Sequence, residues 1–515
     1  MKRIFGKVHF MLFLFTMVFG HTQEPRVYRA PVYEEGWDGP TVHPSHIMLN
    51  LGQDPATTMS VTWRTSADID HGFAEIAKAT AAPKFWRTAV TLEADTEHLD
   101  AMDIALSNVN ANYHSVTFDD LEPDTLYGYR VGDGNHWSEW IHFRTASATP
   151  KKFSFLYMGD VQNNILELWS RLVREGYRKA PDARFIVYAG DLVENGQNSQ
   201  QWSEWFQAGG WLHSMLPSFP VPGNHEYKTD KKDEKKLSIQ WKPQFTLPEN
   251  GPEDVKETAY YSDYQGVRMI GLNCMEKWEE QAIWLEEVLR NNPNQWTLIT
   301  FHYPIFSSSS GRDNKRWREL LKPIFDKYKV DLVLQGHDHT YARGTANNIG
   351  TGVTQRDDFT GTVYVVSVSG GKMYDYRPNW DDYDATRNRM GENTQLFQAI
   401  TVDGDKLAFE SYTATGELYD AFTLIKNDDG PNTILDMKNR AVAERNHHNT
   451  ISYYDKLPLE MEKALLKKNK GYTVDRVNVY DNEEKKIFYE VRLVKGEDTL
   501  MYILDEKGKV LEEKK

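Results

Sequence analysis

Two periodicities divide the chain. Between residues 40 and 148, apolar and polar positions alternate in short runs. In "MSVTW", Met59, Val61 and Trp63 fall on one side and Ser60 and Thr62 on the other, the period of a half-buried strand. "LEPDTLYGYRV" repeats the pattern with Tyr127, Tyr129 and Val131 after a Pro-Asp turn signal, and "WSEWIHFRT" supplies a last strand. A span of about 100 residues with short alternating strands predicts an all-β sandwich. From 149 to 428 the runs become continuously apolar. "FSFLYM" (153–158), "RFIVYA" (184–189), "QWTLITF" (295–301), "VDLVLQ" (330–335) and "GTVYVVSVS" (361–369) read as strands buried on both faces. Ile165, Leu168, Trp169 and Leu172 at helical spacing predict a helix after the first strand, and 279–290 and 315–328 predict two more. This alternation is an α/β pattern. The segment 228–257, opening on "KTDKKDEKK", reads as a surface insertion. After the turn-rich "KNDDGPN", residues 440–515 predict a small α+β domain: a helix over 457–470, then strands near 473–479, 485–494 and 499–504.

Composition narrows the class. The 515 residues are 40% hydrophobic and 26% charged, which predicts a packed protein of roughly two to four domains. The formal charge of −15 offers no counterion-release affinity, so nucleic acid is excluded as a partner. Lys2, Arg3 and Lys7 precede the apolar run Phe10–Phe19, which is too short to span a bilayer, and Gly20 gives a small residue at a cut. Residues 1–20 therefore read as a signal peptide, with a secreted or periplasmic protein of the bacterial envelope as the expectation. The remainder has no run that predicts a transmembrane segment. Cys274 is the single cysteine, so no internal disulfide is expected; it follows the apolar Val267–Leu272 run and reads as a buried thiol.

The residues that follow the buried strands carry the chemistry. They are Gly159-Asp160, Gly190-Asp191, Gly223-Asn224-His225-Glu226, His302 between Phe301 and Tyr303, and Gly336-His337-Asp338-His339. In open α/β sheets the carboxyl ends of the strands converge on one crevice. Glycine before Asp, Asn or His lets the chain turn sharply there. The donors mix carboxylate, amide and imidazole without thiolate, which suits Fe, Mn or Zn. Two carboxylates and three imidazoles exceed what one open catalytic ion takes. They point to two divalent or trivalent ions sharing a bridging carboxylate, which clamps both sides of a phosphoryl displacement.

Three resemblances follow from these motifs. The run Leu121 to Val131 resembles the fibronectin type III pattern, in which a tyrosine packs a corner between sheets. The helix, Tyr-Glu-Val strand and Asp-Glu-Lys-Gly hairpin after residue 457 resemble the PepSY-like domains of bacterial envelope proteins. The order GD, GD, GNHE, H, GHxH resembles the calcineurin-like metallophosphoesterases. With the fibronectin-like region, "FHYP" and "GHDHTYAR", residues 40–428 are most similar to the purple acid phosphatases. That resemblance implies an α/β core of two βαβ-type sheets packed as a sandwich. It implies a metal-dependent hydrolase that attacks phosphate monoesters with a metal-bound hydroxide. By the same resemblance Asp160 and His339 hold the first ion, Asp191 bridges, and Asn224, His302 and His337 hold the second. His225 contacts the phosphate beside Asn224 and protonates the leaving alcohol. Glu226 supports His225, and Tyr303 and Arg343 are candidates to face the substrate. Tyr227 and the polar loop "SSSSGR" (307–312) are weaker pocket candidates.

Two positions depart from the pattern. Purple acid phosphatases place a metal-binding, coloured tyrosine three residues after the second aspartate, and here that position is Glu194. Other metallophosphoesterases use D-x-H, and here the third residue is Gln162. Gln162, Glu194 or a water is left to complete the first ion's ligands, with Gln162 favoured because it follows directly from Asp160. The same core serves phosphodiesterases, and the flanking domains suit a surface binding protein with an inactive phosphatase domain. Both readings stand as alternatives to the monoesterase.

Overall fold

The computed structural model describes residues 37–102, 106–227, 236–309, 311–348, 359–374, 376, 380–427, 430–446, 457–481, 486–496 and 498–514. The segment read as a signal peptide, 1–20, and the charged run 228–235 lie outside them. Residues 30–450 form one compact unit and the chain from Ile451 belongs to another.

The alternating N-terminal strands build two facing sheets. One orders Asp95–Asp100, Asn110–Phe118, Met59–Ser66 and Ser45–Leu51; the other orders Val90–Glu93, Phe73–Lys78, Leu126–Gly132 and Ile141–Arg144. Trp63, Phe118, Tyr129 and Phe143 fill the space between them. The Tyr127 hydroxyl accepts the Glu122 N–H at 2.9 Å and pins the corner that precedes its strand.

This sandwich is not a separate body. Ser45–Leu51 pairs parallel with Ser218–Pro220 through Asn50 and Ser218, so its sheet runs on into the α/β core as one twelve-stranded sheet. Tyr129 reinforces the join by donating to the Ser214 carbonyl at 2.5 Å. The polar face of "MSVTW" is buried too, contrary to the half-buried expectation. Thr62 donates to the Gln244 carbonyl at 2.8 Å, and Trp241 and Phe245 are fully enclosed. The described part of the expected surface insertion, 236–257, is thus a plug whose apolar residues cover that strand.

The core has two layers of sheet. Phe153–Met158, Ala183–Tyr188 and Ser218–Pro220 run parallel in the twelve-stranded sheet. Val267–Gly271, Trp296–Phe301, Leu332–Gln335 and Val363–Val366 run parallel in a seven-stranded one. Alternate residues of the second set divide between two cores. Met269, Leu298, Leu334 and Val365 pack toward Leu156 and Val187. Ile270, Ile299, Val333 and Tyr364 pack under the helices Trp278–Arg290 and Lys315–Tyr328. Burial on both faces explains why these strands read as continuous apolar runs. The helix expected from Ile165 starts as a π turn, Ile165–Trp169, and continues as Ser170–Lys179. Cys274 is buried, as its apolar context implied.

Histidines at the sandwich–core join predict acid sensitivity. The His213 ring stacks on Trp205 at 4.0 Å and His46 on Phe206 at 4.1 Å. Burial pushes His213 down to about 4; burial, helped by Arg64, pushes His46 down to about 3 against the pull of Asp38. The unfolded chain protons these rings near their ordinary 6.5 while the folded chain does not, so the unfolded state binds more protons in acid. Their stabilising contribution is full above about pH 6.5 and falls as pH drops toward 4. Thermal unfolding at pH 7, 5 and 4 should show a falling midpoint that flattens in His213→Gln; an unchanged slope in that variant would sink the assignment.

The C-terminal unit has a helix, Leu459–Lys468, and a four-stranded antiparallel meander of Thr473–Asp481, Ile487–Lys495, Asp498–Asp505 and Val510–Lys514. Leu465, Val477, Tyr489, Val491 and Tyr502 form its own core. The last strand was not expected from the sequence. Lys463 and Lys468 on the helix pair with Glu460 and Glu513 at 2.8 and 3.0 Å in the open, a solvated face.

Candidate metal centre

The ends of the parallel strands meet at one edge. Asp160, Asp191, His337 and His339 sit at φ of 26°, 52°, 77° and 50°, the left-handed region that disfavours side chains. Such strain persists where surrounding structure demands it, and it gathers at functional sites. Glycine is required beside them: a Cβ on Gly159 would lie 2.3 Å from the Ser367 carbonyl, and one on Gly223 would lie 2.2 Å from Asp191 Oδ1.

Two clusters share Asp191. Its Oδ2 lies 3.1 Å from His302 Nε2, and that nitrogen lies 3.2 Å from His337 Nδ1 and 3.2 Å from Asn224 Oδ1. On the other side Asp160 Oδ1 lies 3.6 Å from His339 Nε2. Within each set, Asp191–His302–His337 and Asp160–Asp191–His339, one ligand-type atom per residue lies within 4.8 Å of the others. The imidazoles are pre-oriented. His302 Nδ1 donates to the Ala189 carbonyl and His339 Nδ1 to the Lys372 carbonyl, both at 2.9 Å. A carbonyl only accepts, so each Nε2 presents its lone pair inward. Asp160 Oδ1 and Gln162 Oε1 are buried without a hydrogen-bond partner among the described residues, a costly state that bound cations would relieve. The donor set therefore fits two ions bridged by Asp191.

The electrostatics agree. Burial pushes Asp160 well above the ordinary carboxyl range, with Asp191 adding to it against the pull of His302. Burial works against Asp191 ionising as well, but His302 and His225 outweigh it and hold it far below that range. Burial lowers His302, yet Asp191 lifts it to about 9. Burial drives His337 well down and His339 to about 3.

The remaining candidates sort themselves by contact. Gln162 is fully buried inside the first cluster, its Nε2 3.0 Å from Asp191 Oδ2 and 2.9 Å from His339 Nε2. Glu194 belongs to neither cluster; its Oε2 lies 3.4 Å from His225 Nδ1 and 3.5 Å from Lys372 Nζ. The half-buried Tyr303 ring sits 4.4 Å from that of His337. The Tyr227 hydroxyl is taken up by Glu276 Oε1 and Asn273 Nδ2, both at 2.7 Å, so it packs rather than lines the pocket. Arg343 is a correction. It is fully buried and doubly bonded to Asp420 at 2.7 and 2.9 Å, with Asp436 at 3.2 Å. Its strand, Tyr341–Ala346, carries it away from the ligands into the space between the sheets.

Other residues support the ligand turns in ways that the local sequence does not indicate. Glu226 does not brace His225: it accepts the N–H groups of Asp191, Leu192 and Gly223 at 2.9, 2.8 and 2.7 Å, tying two ligand turns together, and burial lifts it to about 7. The serine loop holds Asp338, whose Oδ2 accepts from the Ser308 and Ser309 amides at 2.5 and 3.2 Å. Arg312 donates to the His337 carbonyl at 2.5 Å. The Lys372 carbonyl that orients His339 has no signal in the local sequence.

Known proteins resemble both parts of the larger unit. Residues 44–145 match the purple acid phosphatase N-terminal domain, and 153–341 match the calcineurin-like phosphoesterase family. Purple acid phosphatase 15 of Arabidopsis thaliana is 26% identical over 306 residues, 52% of this chain and 55% of that one. Phosphoenolpyruvate phosphatase of Allium cepa is 24% identical over 351 residues, 64% of this chain and 70% of that one. The structure of purple acid phosphatase PPD1 from yellow lupin shares the fold, with a TM-score of 0.62 at 20% identity over 75% of each chain.

Proposed function

We propose that this chain, a metal-dependent calcineurin-like phosphoesterase similar to the purple acid phosphatases, hydrolyses phosphate monoesters with His225 as general acid. The observation that carries this reading is the place of His225. Its backbone N–H donates to Asp191 Oδ1 at 2.9 Å and its Nε2 lies 3.7 Å from Asp191 Oδ2, so the imidazole borders the bridged cluster without being needed as a ligand. When bound, two ions of Fe, Mn or Zn supply Lewis-acid charge and lower the pKa of water. Asp160, His339 and Gln162 would hold one, Asn224, His302 and His337 the other, with Asp191 between them. Asn224 as a neutral donor limits the negative charge that an anionic ester meets. His225 Nε2 gives its proton to the ester oxygen as the bond to phosphorus breaks. Tyr303 flanks that space from the His337 side.

A phosphodiesterase would use the same residues. The Allium cepa relative, named for phosphoenolpyruvate, a monoester, favours the first reading. Metal-loaded full-length protein should cleave p-nitrophenyl phosphate faster than bis-p-nitrophenyl phosphate. Cleavage of the diester with an inert monoester would overturn the proposal; two inert substrates across all three metals would favour a binding protein.

A further inference from the structure

Asp338 stands between two ligand histidines, yet its fully buried side chain belongs to neither ligand cluster. It meets the loop that carries Ser308, Ser309 and Arg312. Its Oδ2 accepts from the Ser308 and Ser309 amides at 2.5 and 3.2 Å, and its Oδ1 lies 3.4 Å from Arg312 Nη1. A buried carboxylate is costly unless paired, and these donors offset it only while the loop keeps its place. Arg312 is fixed by the same arrangement. Its Nη1 donates to the His337 carbonyl at 2.5 Å, its guanidinium carbon lies 5.0 Å from the Tyr374 ring centre, and its own carbonyl accepts from the Tyr383 hydroxyl at 3.3 Å. The Tyr374 ring in turn sits 4.6 Å from that of His339. Both polar side-chain contacts of Arg312 run through Nη1. Its Nε and Nη2 donors are therefore without a partner among the described residues, on a side chain that is 29% exposed.

On the monoesterase reading, the ions, Asn224 and His225 already meet the phosphate that is transferred. Arg312 is a further positive charge, held beside His337 and His339 in a chain whose formal charge is −15. A guanidinium with unspent donors in a fixed fork matches the paired oxygens of a carboxylate or a phosphate. Holding it in place beforehand lowers the ordering cost of binding such a group. We propose that Arg312 is a specificity-determining residue that binds a second negative group on the leaving alcohol, and that Asp338 positions it. The substrate class is then phosphate monoesters whose alcohol carries a carboxylate or another phosphate. The inference rests on the monoesterase reading.

The test uses the metal-loaded full chain and two matched pairs of esters. Phosphoglycolate is set against ethyl phosphate, and 4-carboxyphenyl phosphate against phenyl phosphate, so that the carboxylate lies near the ester oxygen in one pair and far from it in the other. Wild type should prefer the carboxylate member of at least one pair in kcat/KM. Arg312→Met should raise KM for that member by about 10- to 100-fold, with a much smaller change on its neutral partner and both ions retained. Arg312→Lys should keep part of the preference. Asp338→Asn keeps the shape but loses the charge facing Arg312, and should erode the preference in the same direction. No preference in either pair, equal changes on both members in Arg312→Met, or loss of an ion in that variant overturns the proposal alone. Cleavage of bis-p-nitrophenyl phosphate with every monoester inert overturns the monoesterase reading and this inference with it.

Discussion

Asp191→Ala is expected to strip the protein of its metal pair and lower turnover by on the order of a thousandfold or more. Asp191 is the one residue common to both clusters, so its removal takes a ligand from each ion, whereas any other ligand variant weakens one. It also releases the His225 amide from Oδ1, which loosens the proposed acid. Asp191→Asn separates the two effects. It keeps the oxygen that meets the amide but loses the charge that two cations need. Metal content by elemental analysis, turnover of p-nitrophenyl phosphate and a thermal midpoint should be measured together. Both variants retaining two ions and wild-type kcat would rule out the bridged site.

The second large effect is on stability. Arg343→Ala leaves Asp420, fully buried, without its doubly bonded partner. Tyr341 still donates to Asp420 Oδ2 at 2.8 Å, but one hydroxyl does not replace a guanidinium. Removing one member of a buried ion pair destabilises by about 3–5 kcal/mol. The pair joins the seven-stranded sheet, through Tyr341–Ala346, to the twelve-stranded sheet, through Leu418–Ile425. The loss should therefore weaken the contact between the two layers. Arg343→Met with Asp420→Leu should recover much of it, since the uncompensated charge goes too. Denaturant unfolding gives the size, and kcat of the folded fraction should stay near wild type. An Arg343→Ala protein that unfolds normally but binds substrate poorly would instead place the guanidinium in the pocket.

Arg343 also shows where local sequence stops being informative. It follows His339 by four residues, so proximity in the chain suggested proximity to the phosphate. The strand direction and two acids far downstream decide otherwise. The ligands themselves were legible because each follows a buried strand, and in four of the five strand ends a glycine precedes the donor. The strand pattern survives because burial on both faces leaves no polar positions to confuse it. Gln162 and Glu194 were both open in sequence, with Gln162 favoured; their contacts separate them, one inside the cluster and one against His225 and Lys372. Glu226 was read as a neighbour of His225 because it is adjacent in sequence, whereas its carboxylate reaches back to the Asp191 turn. The fusion of the sandwich to the core through Asn50 and Ser218 is likewise a pairing between segments far apart in the chain. No periodicity encodes it.

The central claim is a two-ion phosphoesterase site bridged by Asp191. Its most direct test is a titration of metal-free full-length protein with Mn, Zn or Fe, following ions bound per chain and p-nitrophenyl phosphate hydrolysis together. The account predicts no turnover without metal and activity that saturates as a second ion binds. Hydrolysis by the metal-free chain, or full activity with a single bound ion, would contradict it.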